Sequence, residues 1–192
     1  MRNILKNRLA LSTVVTTLII LVVSVLLAGV VSYFAINVTS TRVQEESLHL
    51  TKQHVWYDAA TGQSQAAIMI INTGGRDVVL DKIAVRGQEA TWTGASQNVT
   101  YIVTSESVSN DLTFISSGIA TYNMTTMLGL TGDNPLAGAT TDLTLQSGKT
   151  LVMYISSPDS ITVNDIGLTV AITVFTSQAM YYKESNVQAY VA

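Results

Sequence analysis

LSTVVTTLIILVVSVLLAGVVSYFAINV, residues 11–38, decides the architecture. No charged side chain occurs from Leu9 to Thr41. A helix needs only about 20 apolar residues to cross a bilayer core, so this stretch can span a membrane and continue past it. Arg2, Lys6 and Arg8 precede it, and no acid does. Basic residues stay on the cytoplasmic side, which places the N-terminus inside and the rest of the chain outside. Beyond Leu11 lie the remaining seven of 10 basic residues and all 13 acidic ones. That acidic balance excludes nucleic acid as an expected partner, because phosphate binding needs clustered Lys or Arg.

The whole chain of 192 residues is 47% hydrophobic and 12% charged, against about 25% charged in ordinary soluble domains. Three segments follow. Residues 1–10 form a short basic leader. Residues 11–54 read as one helix, apolar at first and polar in the continuation TSTRVQEESLHLTKQH. At about 1.5 Å per residue that helix would be a rod of roughly 66 Å. Residues 55–192 are rich in Thr, Ser, Val and Ile and are expected to form an extracellular head.

In the head, turn signals recur at Thr61-Gly62, Gly74-Gly75, Arg86-Gly87, Ser109-Asn110-Asp111, Asp133-Asn134-Pro135, Ser147-Gly148, Ser157-Pro158-Asp159 and Asn164-Asp165. Short strand-like runs lie between them. AAIMIIN (66–72) is solidly apolar up to its terminal Asn72, as in a strand covered on both faces. VVLDKIAV (78–85) is mixed. TLVMYIS (150–156) and LTVAITVF (168–175) alternate, with Leu168, Val170, Ile172 and Val174 on one face. VQAYVA (187–192) closes the series. The expected fold class is α+β: a long N-terminal hydrophobic α-helix followed by an all-β sandwich, for which the immunoglobulin arrangement is one candidate topology.

Small and hydroxyl residues recur along the apolar helix at Thr13, Thr17, Ser24, Ala28 and Ser32, with Gly29 beside them. Ser24, Ala28 and Ser32 form a ridge that lets helices approach closely. Around the start of the helix, Arg8-Leu9-Ala10-Leu11-Ser12-Thr13-Val14-Val15 resembles the N-terminal signature of archaeal type IV pilins and the related archaellins. The resemblance covers residues 8–34. It implies a basic leader that a prepilin peptidase removes between Ala10 and Leu11, although Leu9 stands here between Arg8 and the small residue. It also implies a helix that leaves the membrane and packs with copies of itself in a filament built by the pilus assembly machinery. Over the head the resemblance is architectural only, since such heads are also β-sandwiches.

Other chemistry is sparse. The chain has no cysteine, hence no disulfide, thiol nucleophile or cysteine-bound zinc. Asn37-Val38-Thr39, Asn98-Val99-Thr100 and Asn123-Met124-Thr125 are glycosylation sequons. Asn98 and Asn123 suit an exposed head, whereas a glycan on Asn37 would obstruct helix packing. His49 and His54 are five apart, and Glu45 stands at i−4 of His49. A lone carboxylate–histidine pair on a solvated helix is not a metal site. His54 with Val55, Trp56 and Tyr57 is expected at the helix-to-head junction. Asp133-Asn134 and Thr141-Asp142 lack calcium-loop spacing, and Tyr181-Tyr182 reads as strand packing. No P-loop, dinucleotide fingerprint or G-x-S-x-G occurs.

The sequence therefore points to a structural surface-filament subunit with no cofactor and no enzymatic role, with adhesion among its candidate roles. The alternatives are a single-pass membrane-anchored β-sandwich binding module and an archaellin, the subunit of a motility filament.

Overall fold

The computed structural model describes residues 8–43, 45–92 and 97–191. The chain divides into two compact units, residues 1–44 and 45–192. The first is a single helix, α1 (Arg8–Val43). Its 36 residues give a rod of about 54 Å. The leader residues 1–7 lie outside the described residues, and Ala10 and Leu11 fall in the first turns of α1.

The helix ends well before His54. Residues 48–54, read from sequence as a polar helical continuation, form the first half of strand β1 (Leu48–Asp58). Their pattern has period two: Leu48 and Leu50 are buried and His49 between them is exposed. That spacing fits one face of a sheet, not a helix. A bulge between Thr51 and His54, with Lys52 at φ 51°, then shifts the phase by one residue. Val55 thereby returns to the core face.

The second unit is a ten-stranded sheet. After β1 come β2 (Gln63–Asn72), β3 (Val78–Val85), β4 (Gln88–Glu89), β5 (Val99–Thr104), β6 (Ala137–Gly138), β7 (Leu143–Leu145), β8 (Thr150–Ser156), β9 (Thr169–Thr176) and β10 (Met180–Tyr190). The strand order is β4-β3-β9-β10-β1-β2-β8-β5-β6, with β7 also on β3. All pairs are antiparallel except β1 with β10. Each sequence-level turn signal falls in a connection between strands.

The sheet curls so that its two halves share one core. Ile68 and Ile70 of β2 and Met153 of β8 meet Leu80 and Ile83 of β3 and Ile172 and Val174 of β9 there. A second core lies on the other face of β1, β2 and β8. Trp56, Met69, Val152 and Tyr154 pack there against Leu112, Phe114, Met124 and Leu128. The residues covering it come from segment 105–136, which contains a 3-10 turn (Ile119–Thr121) and a short helix, α2 (Thr125–Leu128). Layering explains why residues 66–71 of β2 are all apolar. It also corrects the reading of β8, which does not alternate: Leu151, Met153 and Ile155 face the first core and Val152 and Tyr154 the second. In β9 the alternation holds for Val170, Ile172 and Val174, but Leu168 precedes the strand and is exposed.

The start of β1 is held by the β2–β3 connection. Thr73 and Gly74 both donate backbone N–H bonds to the Ser47 carbonyl, at 2.9 and 3.0 Å. A β-carbon on Gly74 would stand 2.7 Å from the Glu45 carbonyl oxygen, so only glycine permits this approach.

Candidate functional site

The feature of α1 with the clearest physical consequence is that it is apolar around its whole circumference. Val14, Leu18, Leu21, Val25, Leu26, Val30 and Phe34 all stand more than half exposed on the isolated chain. The stretch Ser12–Thr41 is long and apolar enough to cross a membrane. In water such a rod is unstable, so it must be covered by lipid or by protein.

Its hydroxyl groups are arranged for dry surroundings. Thr16 donates to the Ser12 carbonyl at 2.9 Å, Thr17 to Val14 at 2.9 Å and Ser24 to Ile20 at 2.7 Å. Near the far end Thr41 donates to the Asn37 carbonyl at 2.9 Å. A hydroxyl satisfied on its own helix carries a reduced desolvation penalty when apolar matter surrounds it.

At about 100° per residue, the continuous helix brings Thr13, Thr17, Ser24, Ala28 and Ser32 onto one face about 100° wide. Gly29 lies beside that face, and no atom stands within 4 Å of where its β-carbon would be. Ala35 and Thr39 extend the same face toward the end of α1. They are missed by the sequence reading, although their signal is visible as continued spacing of seven and four residues from Ala28. Asn37 lies on the opposite side of the rod.

The other two sequons differ in surroundings. Asn123 is exposed, and its Oδ1 accepts bonds from the Thr125 N–H at 3.0 Å and hydroxyl at 2.6 Å. Its Nδ2 donates to Asp133 Oδ1. At the Asn98 sequon, Asn98 Oδ1 and the Thr100 hydroxyl are buried without hydrogen-bond partners.

The residues expected at a helix-to-head junction lie instead inside β1. Because 48–54 is strand, His54 stacks on Trp56 with centroids 5.1 Å apart, and its Nε2 meets Asp111 Oδ1 at 3.0 Å. Burial opposes ionisation of Asp111, but the bond from His54, the Leu112 N–H and nearby Lys52 together hold its carboxyl below the usual range. Trp56 belongs to the second core. Glu45 and His49 share no helix, so their i,i+4 spacing brings nothing together. No group of three or more His, Asp or Glu that could hold a metal occurs among the described residues. Tyr181 packs on the first core from β10, while Tyr182 is exposed.

No family model matches the chain, and no curated protein matches it. Among solved structures, the copper-bound PCuAC domain from PmoF2 is similar at a TM-score of 0.33 and 10% identity, over 77% of this chain and 100% of that one. A family 123 glycoside hydrolase from Clostridium perfringens gives 0.35 and 12%, over 77% of this chain and 27% of that one. The ligand-binding region of serine-glutamate repeat protein A of Enterococcus faecium gives 0.26 and 11%, over 78% and 100%. These likenesses identify no family. At such scores they also carry no functional inference, which rests on the geometry of α1 and of the β domain.

Proposed function

We propose that this chain is the structural subunit of an archaeal type IV pilus-like surface filament, assembled through α1. The observation that carries the proposal is the all-round apolar surface of α1 over an uncharged stretch of 30 residues. That stretch measures about 45 Å against about 30 Å for a bilayer core. Neighbouring copies of α1 would cover its full length, and the small-residue face would let them approach closely. Intrahelical bonding of Thr17 and Ser24 supports the same surroundings.

The mechanism is a transfer between two apolar media. The precursor sits in the cytoplasmic membrane with its N-terminus inside. Cleavage between Ala10 and Leu11 removes Arg2, Lys6 and Arg8, the charges that hold that end at the cytoplasmic face. The helix then exchanges lipid for neighbouring helices at little net cost, since both are apolar, and the β domains stay in water.

Shear fractionation tests this directly. The chain should appear in extracellular material containing filaments visible by electron microscopy. Because it has no cysteine, a Ser24→Cys chain should form inter-subunit disulfides in those filaments on mild oxidation. Recovery only from membranes would instead establish the single-pass anchored module.

A further inference from the structure

The β domain carries a concave pocket of about 300 Å³ at the end where β1 turns into β2, the size at which small-ligand sites begin. Its polar lining comes from three separate parts of the chain: Gln63 and Gln65 of β2, Ser116 and Ser117 of the covering segment, and Ser156 and Ser157 at the end of β8. Ile115 and Ile119 supply apolar wall. No residue lining it carries a formal charge.

The pocket is fixed by bonds that have no part in the sheet ladder. The Ile115 N–H donates to Gln65 Oε1 at 2.9 Å, and Gln65 Nε2 donates to the Ile115 carbonyl at 3.3 Å. The Ser157 N–H donates to the Ser64 carbonyl at 2.8 Å. Ser157 itself sits at φ 46°, in the left-handed region that a side chain disfavours. Among the described residues the two other non-glycine residues there, Lys52 and Arg86, are accounted for by the β1 bulge and the β3–β4 turn. Ser157 likewise opens the Ser157-Pro158-Asp159 turn that follows β8, and its bond to Ser64 fixes that edge of the pocket.

The chemistry of the lining narrows the occupant. Gln63, Ser116 and Ser117 are exposed and Ser156 half-buried, and among the described residues none of their side chains is taken up by a hydrogen bond, so all four present donors and acceptors to the pocket. An anion would call for a cation in the wall, and a cation for carboxylates. A purely apolar ligand would strand the hydroxyls. A ligand that is neutral and carries many hydroxyls matches both halves of each group, while its C–H faces suit Ile115 and Ile119. We propose that this pocket binds a neutral saccharide, at the scale of a terminal sugar. The site belongs to the β domain and holds whether α1 lies in a filament or in a bilayer.

The test uses the full chain, labelled at isoleucine methyls, in a zwitterionic detergent free of sugar. The probes are the methyl glycosides of glucose, galactose, mannose and N-acetylglucosamine, with glucuronic acid as the charged comparison. Saturable shifts at the Ile115 and Ile119 methyls, with the Ile68 methyl unmoved, are expected for at least one neutral glycoside. Ser117→Trp, at an exposed position, should abolish them while leaving the Ile68 methyl signal of the folded core in place. Gln63→Ala should weaken binding by up to roughly tenfold, the loss of one hydrogen-bonded contact. Absence of shifts with every glycoside would overturn the proposal, as would shifts unchanged in the Ser117→Trp chain. Tighter binding of the glucuronic acid than of neutral glucoside would overturn it too.

Discussion

Enlarging one small side chain separates a packed helix from a lipid-bathed one. Ala28 sits near the centre of the face formed by Thr13, Thr17, Ser24 and Ser32, which runs for about 28 Å along α1. Ala28→Leu makes the helix more apolar, so a bilayer accepts it slightly better than the natural chain. Between helices the effect reverses. The added carbons hold the neighbour away, and Ser24 and Ser32, one turn to either side, lose contact with it. A gap of about 0.5–1 Å forfeits a quarter to a half of each van der Waals well, and overpacking costs about 1–3 kcal/mol. In assembly terms that is a shift of about 5- to 150-fold toward unpolymerised subunit. Val30→Leu, which adds one methylene on the far side of the rod, is the control. The assay is the ratio of chain in sheared filaments to chain in membranes, by quantitative blotting. An Ala28→Leu chain that polymerises as well as the natural one and the Val30→Leu control would refute close packing through this face.

Three further outcomes are expected. Ile68, fully buried between β1 and β8, should lose about 2–5 kcal/mol on Ile68→Ala, read by urea unfolding of the full chain in detergent. Gly74→Ala should cost about 1–3 kcal/mol in the same assay, because the new methyl meets backbone at Glu45 and Ser47. It should also raise hydrogen exchange at the Thr73 and Gly74 amides. Asp58 accepts the Thr61 hydroxyl at 2.6 Å and the Ala60 N–H at 2.9 Å, which hold its carboxyl below its ordinary value of 3.8. A lowered folded-state pKa gives stability that is present above about pH 4 and is lost as pH falls through the depressed value. Asp58→Asn should therefore be less stable at neutral pH, with the difference closing in acid; a constant difference across that range would contradict this role.

Several elements were legible in the sequence because their signals are local. The apolar run and its lack of charge locate α1, and residues 78–85 and 150–156 are strands with the expected bounds. The small-residue face is also legible, since helical spacing alone brings its members together. The end of α1 was not, because a polar stretch with three large apolar residues carries little helical evidence, and the Leu48–Leu50 alternation needed the sheet to give it meaning. The second core was hidden for a similar reason. Leu112 and Phe114 are two apart and Met124 and Leu128 four apart, pairs too short to mark an element, and only the outer faces of β2 and β8 explain their burial. The parallel pairing of β1 with β10 joins opposite ends of the unit, a contact that no local pattern encodes. The saccharide pocket draws on three distant segments and left no motif.

The most direct measurement is the mass of the N-terminal peptide of the chain recovered from sheared, filament-containing surface material. A start at Leu11 is expected, showing that Arg2, Lys6 and Arg8 are removed before assembly. An intact N-terminus beginning at Met1, found only in membranes, would contradict assembly through α1 and leave the chain a membrane-anchored β domain.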